Sequence, residues 1–293
     1  MTKRNSRFLS YPLAAGVLAA GMLAAASTAA GASTDGSSQA RSSSGTPTAA
    51  ATAFARNALH KMLSGHHALD QHAGSARKID GQTKVTSNNW SGYADTGSNF
   101  SKVSANWTEP KASCGLDVES LAAFWVGIDG FKSSSVEQDG TMVECYLGTE
   151  YEYTWWEMYP TNSVQTVGST VQPGDKISAS VNRSGTSYAL SVTDSTHPAN
   201  SFSTTQTGSG DANSSAEWIA EAPSTSAGVS PLTNFGTWNA SGASVSNGST
   251  TGTISSFPDD EITMSDTLGN TEASPSALAN SGSDFSVAWK SSL

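Results

Sequence analysis

Residues 214–223 read SSAEWIAEAP and set two glutamates, Glu217 and Glu221, around Trp218 in a chain of which Asp, Glu, Lys and Arg make up only 14%. In an extended strand side chains alternate between faces, so Glu217, Ile219 and Glu221 share one face while Trp218 and Ala220 take the other. A strand that buries Trp218 therefore aims Glu217 across the sheet, into water or into a cleft. A second stretch, YEYTWWEMYP at 151–160, sorts the same way: Tyr153, Trp155, Glu157 and Tyr159 lie on one face, Glu152, Thr154, Trp156 and Met158 on the other. Aromatic rings beside a carboxylate suit a substrate groove, because flat rings give contact area at low entropy cost.

Carboxylates in an aromatic cleft serve more than one chemistry. Two of them, drawn from Glu150, Glu152, Glu157 and Glu217, can divide the acid and base roles of a glycosidase. One of them can activate water while a neutral amide holds the tetrahedral oxyanion. A third reading needs no reaction: a non-catalytic lectin-like module in which Trp155, Trp156 and Tyr159 stack on sugar. Histidine chemistry is disfavoured. Four of the five histidines, His60, His66, His67 and His72, precede residue 86, and His197 stands in DSTHPAN, which reads as a turn. A Ser-His-Asp triad or a zinc site needs histidine in nearly every common form.

Two further acidic stretches stand apart. Asp129 in WVGIDGF closes a strand before Gly130, where it serves either as a turn aspartate bonding its own backbone or as a site residue, and PDDE at 258–261 follows Pro258 in a turn-like, solvated setting.

The elements that must position these residues are short strands. From about residue 86 the chain alternates runs rich in Val, Ile, Thr, Tyr and Trp with Gly, Ser, Asn and Asp, as in KVSANWTEP, LAAFWVGIDG, KISASVN, YALSVTD and FSVAWK. Runs about ten residues apart, separated by turn signals, predict an antiparallel β-sandwich or barrel. No long amphipathic helix is predicted after residue 85. Cys114 and Cys145 predict one disulfide in an exported chain.

Export is read from the start of the sequence. Lys3, Arg4 and Arg7 precede an apolar run ending at Ala30-Gly31-Ala32, so residues 1–32 are expected to be a signal peptide, and no other stretch approaches the ~20 apolar residues of a membrane span. Residues 33–85 follow as a low-complexity linker and AFARNALHKMLSGHH, a helix-forming segment stopped at Gly65. Charge divides the chain at the same place. Residues 1–85 hold nine Lys/Arg against three Asp/Glu, and residues 86–293 hold six against twenty-two. Such an acidic body repels nucleic acid, and a basic leader complements it as an inhibitory propeptide would.

WVGIDG (125–130), Gln138 in VEQDGT, WWEMYP (155–160), AEWIAE (216–221) and NFGTW (234–238), with NWSGY (89–93) ahead of them, occur in one order. That ordered set resembles the glutamic peptidases, the eqolisins, across nearly all of residues 86–293. The resemblance implies a concanavalin-like β-sandwich whose concave sheet forms the substrate groove, a propeptide, and a secreted, extracellular, acid-active monomer that cleaves polypeptides without metal or cofactor. It implies a catalytic pair at Gln138 and Glu217, with Trp125, Asp129, Trp155, Glu157 and Tyr159 lining or supporting the groove. In that scheme Glu217, with an ordinary pKa of ~4.3, takes a proton from water in mild acid while the amide of Gln138 holds the oxyanion. The chain departs from the fungal pattern at Met142 and Tyr153, where those members carry Asp.

Overall fold

The pattern of each strand's residues decides which face meets water. KVSANWT, KISASVNRS and SYALSVTD alternate apolar with Ser, Thr and Asn, and they bury one face only. SLAAFWVGI, VEQDGTMVECY and SAEWIAE are apolar or compact at nearly every position and are buried on both faces. Strands of the second kind must sit at the centre of a sheet covered on both sides.

The computed structural model describes residues 74–79, 82–116, 119–168 and 171–292. The expected signal peptide, most of the expected leader and its helix-forming segment lie outside the described residues. In chain order the strands are β1 (Gly74–Ile79), β2 (Gln82–Ser87), β3 (Trp90–Thr96), β4 (Lys102–Thr108), β5 (Ser120–Ile128), β6 (Val136–Tyr146), β7 (Thr149–Tyr159) and β8 (Asn162–Thr166). They continue with β9 (Lys176–Ser184), β10 (Ser187–Asp194), β11 (Phe202–Thr207), β12 (Ser215–Glu221), β13 (Ser224–Thr225) and β14 (Gly228–Val229). The last five are β15 (Thr237–Ser246), β16 (Thr251–Gly252), β17 (Asp259–Ser265), β18 (Thr271–Pro275) and β19 (Phe285–Trp289). Helical structure among the described residues amounts to 3-10 turns, none long and apolar enough to cross a membrane.

The strands form a β-sandwich. One sheet runs β1-β2-β17-β3-β12-β5-β6-β7-β8 and the other β11-β10-β9-β4-β15-β19-β18. All these pairs are antiparallel except β2 with β17. β17 joins the sheets, pairing with β2 and β3 along most of its length and with β18 at Met264 and Ser265. Between the sheets lies the larger apolar cluster, with Phe124 and Trp218 from the first sheet meeting Trp107, Val181, Leu190 and Trp238 of the second. Phe124 stacks on Trp238 with ring centroids 5.6 Å apart, and Trp107 meets Trp238 edge-on at 5.7 Å. A smaller cluster of Trp90, Trp125, Met142, Tyr153, Trp155 and Ile219 covers the opposite face of the first sheet.

The disulfide joins Cys114, in the loop after β4, to Cys145 at the end of β6. Two stretches differ from the sequence reading. PDDE is not a solvated turn: Asp259 and Asp260 open β17, paired with Asp95 and Ala94 of β3, and Asp260 is buried. The period-two burial of DDEITMS, which carries Ile262 and Met264 into the core, outweighs the charge at its start. Strand structure also begins ahead of residue 86, because β1 and β2 extend the first sheet beyond β17.

The space between the sheets holds acidic groups as well as rings. Asp139 accepts from the Ser191 amide of β10, and Glu109 accepts from Trp107 Nε1 (2.9 Å) and Thr141 Oγ1 (2.7 Å). Asp95, Glu137 and Glu152 are buried with them and, like them, make no salt bridge to any described residue. Burial pushes Asp95 and Glu137 up to about 9, Glu109 up to about 8, Glu152 up to about 11, and Asp139 well above the usual carboxylate range. The folded state thus keeps protons that the unfolded chain releases near pH 4. Where the native state binds more protons, stability falls as pH rises. The melting temperature is expected to be highest near pH 4 and to fall between pH 5 and 9. Asp95→Asn, which replaces a buried carboxyl by a neutral isostere, flattens that slope. A melting temperature that is flat or rising across pH 4–8 would refute this account.

Candidate active site

Glu217 lies on β12, between β3 and β5. Trp218 is fully buried in the core between the sheets, where its Nε1 donates to Ser104 O at 3.0 Å. Alternation therefore turns Glu217 onto the opposite face, that of Trp125, Trp155 and Ile219. Register then sets its neighbours. Glu217 pairs with Gly127 of β5, Gly127 with Gln138 of β6, and Gln138 with Glu157 of β7. Residues directly opposite in a ladder point the same way, so Glu217, Gly127, Gln138 and Glu157 form one row across four adjacent strands.

Gly127 makes the row usable. A Cβ there would stand 3.2 Å from Gln138 Cβ and 2.9 Å from the Trp125 ring. Its absence lets the Trp125 ring pack directly over the strand between the carboxyl group and the carboxamide. On the far side of Gln138 a hydrogen bond closes the row, Nε2 donating to Glu157 Oε2 at 2.6 Å.

Glu217 is fully buried, and neither of its oxygens makes a hydrogen bond of good geometry. Burial holds its carboxyl well above the usual range; Ser215 nearby moderates the shift, and Asp129, Glu137 and Asp95 reinforce it. The ordinary pKa assumed from sequence therefore does not hold in the 293-residue chain. Burial likewise pushes Glu157 up to about 8, with the Gln138 bond opposing it and Glu221 adding to it.

The remaining residues named from sequence take distinct places. Trp125 is buried, donates from Nε1 to Glu221 Oε2 at 2.8 Å and meets Trp90 edge-on at 4.9 Å. Trp155 is buried on the same face, two residues along β7 from Glu157, and Tyr159 is half-buried at the strand's end. Asp129 stands outside the row. Its backbone has φ +67, and its carboxylate accepts from the amides of Asn213 (2.6 Å) and Ser214 (2.8 Å) and from Ser214 Oγ (3.1 Å). It supports rather than lines the site, clamping the entry of β12 to the end of β5.

Met142 and Tyr153, the two departures from the fungal pattern, pair directly across β6 and β7 and are buried side by side, with Tyr153 Oη donating to Glu144 at 3.2 Å. Glu221 carries more of this face than its motif position suggested. It accepts from Trp125 and from Asn89 Nδ2 (3.3 Å), and burial pushes it up to about 7 against those bonds. Its parity with Glu217 along β12 was the available signal.

Among the described residues, the group with metal-ligand spacing is Asp175, Asp194 and His197, whose candidate ligand atoms lie within 4.8 Å of one another. It belongs to the β9–β10 end of the other sheet and is already knit together. Asp175 accepts from His197 Nδ1 at 2.8 Å, and Asp194 accepts from the His197 amide (2.8 Å) and Asn200 Nδ2 (2.8 Å). The row around Glu217 contains carboxylates, a carboxamide and aromatic rings, without histidine or cysteine. Groups of these kinds can transfer a proton through a carboxyl group and donate a hydrogen bond from an amide that does not titrate.

Fold and row define a β-sandwich protein with a carboxyl–carboxamide centre on the outer face of one sheet. The chain belongs to the Peptidase A4 family, which it matches over residues 88–289. It is 33% identical to scytalidopepsin B of Scytalidium lignicola over 138 residues, 45% of this chain and 51% of that protein. It is 26% identical to aspergillopepsin-2 of Aspergillus niger over 197 residues, 59% of this chain and 70% of that one. The match thus spans about half the length of the first relative and more of the second. Scytalido-glutamic peptidase, solved with a transition state analog inhibitor, shares the fold with a TM-score of 0.59 at 24% identity, covering 69% of this chain and 98% of that one.

The clamp gives the site its first test. Asp129→Ala leaves two half-buried backbone N–H groups and a hydroxyl without their acceptor, a loss of about 3 kcal/mol. For a domain of this size that corresponds to a fall in melting temperature of roughly 6–12 °C. A fall of less than about 2 °C, read by thermal denaturation at pH 5, would show that the β12 entry is held by other means.

Proposed function

We propose that the protein is a secreted, acid-active glutamic endopeptidase, made as a zymogen, in which Glu217 activates water and Gln138 stabilises the tetrahedral oxyanion. The observation that carries this reading is the row: a carboxyl group and a carboxamide on one face, separated by a residue without a side chain. A peptide carbonyl bound on this face between Glu217 and Gln138 lies between its base and its oxyanion donor. Trp125 and Trp155 supply the apolar walls of the groove, with Tyr159 at its end.

The reaction follows from the groups present. The Glu217 carboxylate removes a proton from water, the oxygen of that water bonds to the scissile carbonyl carbon, and the carbonyl oxygen takes the negative charge against a Gln138 N–H. Glu217 then returns the proton to the amine as the C–N bond breaks. Gln138 has no proton to gain or lose in this range, so its donor survives acid that would protonate a histidine base.

Burial of Glu217 is in keeping with a zymogen: it raises the carboxyl well above the usual carboxylate range and so favours the protonated form, which is not a base. Admission of water and substrate restores hydration and lowers its pKa toward the ~4.3 of an ordinary glutamate. The basic leader complements the acidic body at neutral pH; acid neutralises the body's carboxylates and weakens that attraction. The relatives named scytalidopepsin B and aspergillopepsin-2 are in keeping with a peptidase.

The test is peptide release from an unfolded protein across pH 2–8 with pepstatin present, using processed wild type, Glu217→Gln and Gln138→Ala. Wild type is expected to cleave best in acid and Glu217→Gln not at all. Gln138→Ala is expected to lose about 10²–10³-fold in kcat. Appreciable turnover by Glu217→Gln removes the assignment; tight glycan binding without proteolysis moves it to the lectin-like module.

A further inference from the structure

A carboxamide serves an oxyanion only if it presents nitrogen. The terminal torsion of a Gln side chain is broad and roughly two-fold, so an unsupported amide also presents its carbonyl oxygen, which repels the charge it should stabilise. The structure supplies the missing constraint. Gln138 Nε2 donates to Glu157 Oε2 at 2.6 Å from the directly opposite position on β7, inside a buried site. Gln138 Oε1 has no hydrogen-bond partner of its own, so this one bond sets the orientation of the amide.

We propose that Glu157 is the positioning residue of the oxyanion donor: it accepts one N–H of Gln138, fixes which end of the amide is turned toward substrate, and leaves the second N–H for it. This deepens the proposed function and rests on it. It also changes the part that sequence resemblance gave Glu157, from a groove residue that meets substrate to one that acts through Gln138. The bond requires an acceptor, not a charge. Both a carboxyl group and a carboxamide have a carbonyl oxygen to offer, whereas a methyl group has none.

The experiment compares Glu157→Ala, Glu157→Gln, Gln138→Ala and the Glu157→Ala/Gln138→Ala double variant in the processed enzyme, with Glu217→Gln as the control for the underlying reading. Glu157→Ala is expected to lower kcat on the order of 10–100-fold, less than loss of the donor itself, with KM little changed. Glu157→Gln restores most of that loss. The double variant is no slower than Gln138→Ala alone, because without the amide there is nothing left to orient. A rise in KM at unchanged kcat marks Glu157 as a substrate contact and overturns the proposal, as does a Glu157→Gln variant as slow as Glu157→Ala.

A second measurement does not depend on turnover. The side-chain amide signals of Gln138 in a ¹⁵N-correlated NMR spectrum, assigned by their loss in Gln138→Ala, are expected to shift in Glu157→Ala and to stay near their wild-type position in Glu157→Gln. Unchanged signals in Glu157→Ala refute the bond and its role, even if Glu217→Gln has already shown the peptidase reading to be wrong.

Discussion

The site depends on a constraint that belongs to every β-strand: neighbouring side chains point to opposite faces. On β12 that rule is anchored by Trp218, whose ring fills the space between the sheets and whose Nε1 is tied to Ser104. With Trp218 inward, Glu217 has one place to go. A slip of one residue would bury Glu217 among Phe124 and Trp238 and turn Trp218 outward, so the core and the site enforce the same register. Pairing on both sides carries that register to Gly127, Gln138 and Glu157. The four residues of the row come from four strands, and none is placed by its own local sequence.

The second organising feature is a core that uses protons where other proteins use cations. Asp95, Glu137, Asp139 and Glu152 are buried without a lysine or arginine of the described residues in salt-bridge contact, and the six basic residues after residue 85 leave few candidates. A buried carboxyl without a counter-charge is tolerated in its neutral form. The same burial acts on Glu217, Glu157 and Glu221 on the outer face. Burial therefore acts in one direction on the fold and on the outer face, raising the carboxyl groups of both.

Much of this was legible in the sequence because the informative strands are long and regular. The alternation in AEWIAE and YEYTWWEMYP assigns faces to Glu217, Trp218, Trp155 and Met158, and the structure keeps those assignments. The disulfide followed from two cysteines in a chain read as exported. What escaped has a common cause, long-range pairing. GSARKI and QTKVTS carry little aromatic or alternating signal, and they become strands because β17 offers them an edge. PDDE looked solvated because its partners, Asp95 and Ala94, lie more than 160 residues earlier. The clamp of Asp129 on Ser214 and the bond from Gln138 to Glu157 are likewise invisible until register is known.

The order of the strands along the chain has a consequence for biogenesis. β12 is held by β3 and β5, and β3 is held in turn by β17, so the sheet around Glu217 is completed only by residues near the carboxyl end. Closing loops of such length is entropically costly and makes folding slow compared with locally connected domains. While the ribosome is still making the chain, the carboxyl group and the carboxamide are distant points on a flexible polymer. The row is thus assembled only when β5, β6, β7 and β12 have paired, and its flank at β3 is covered only when β17 has docked.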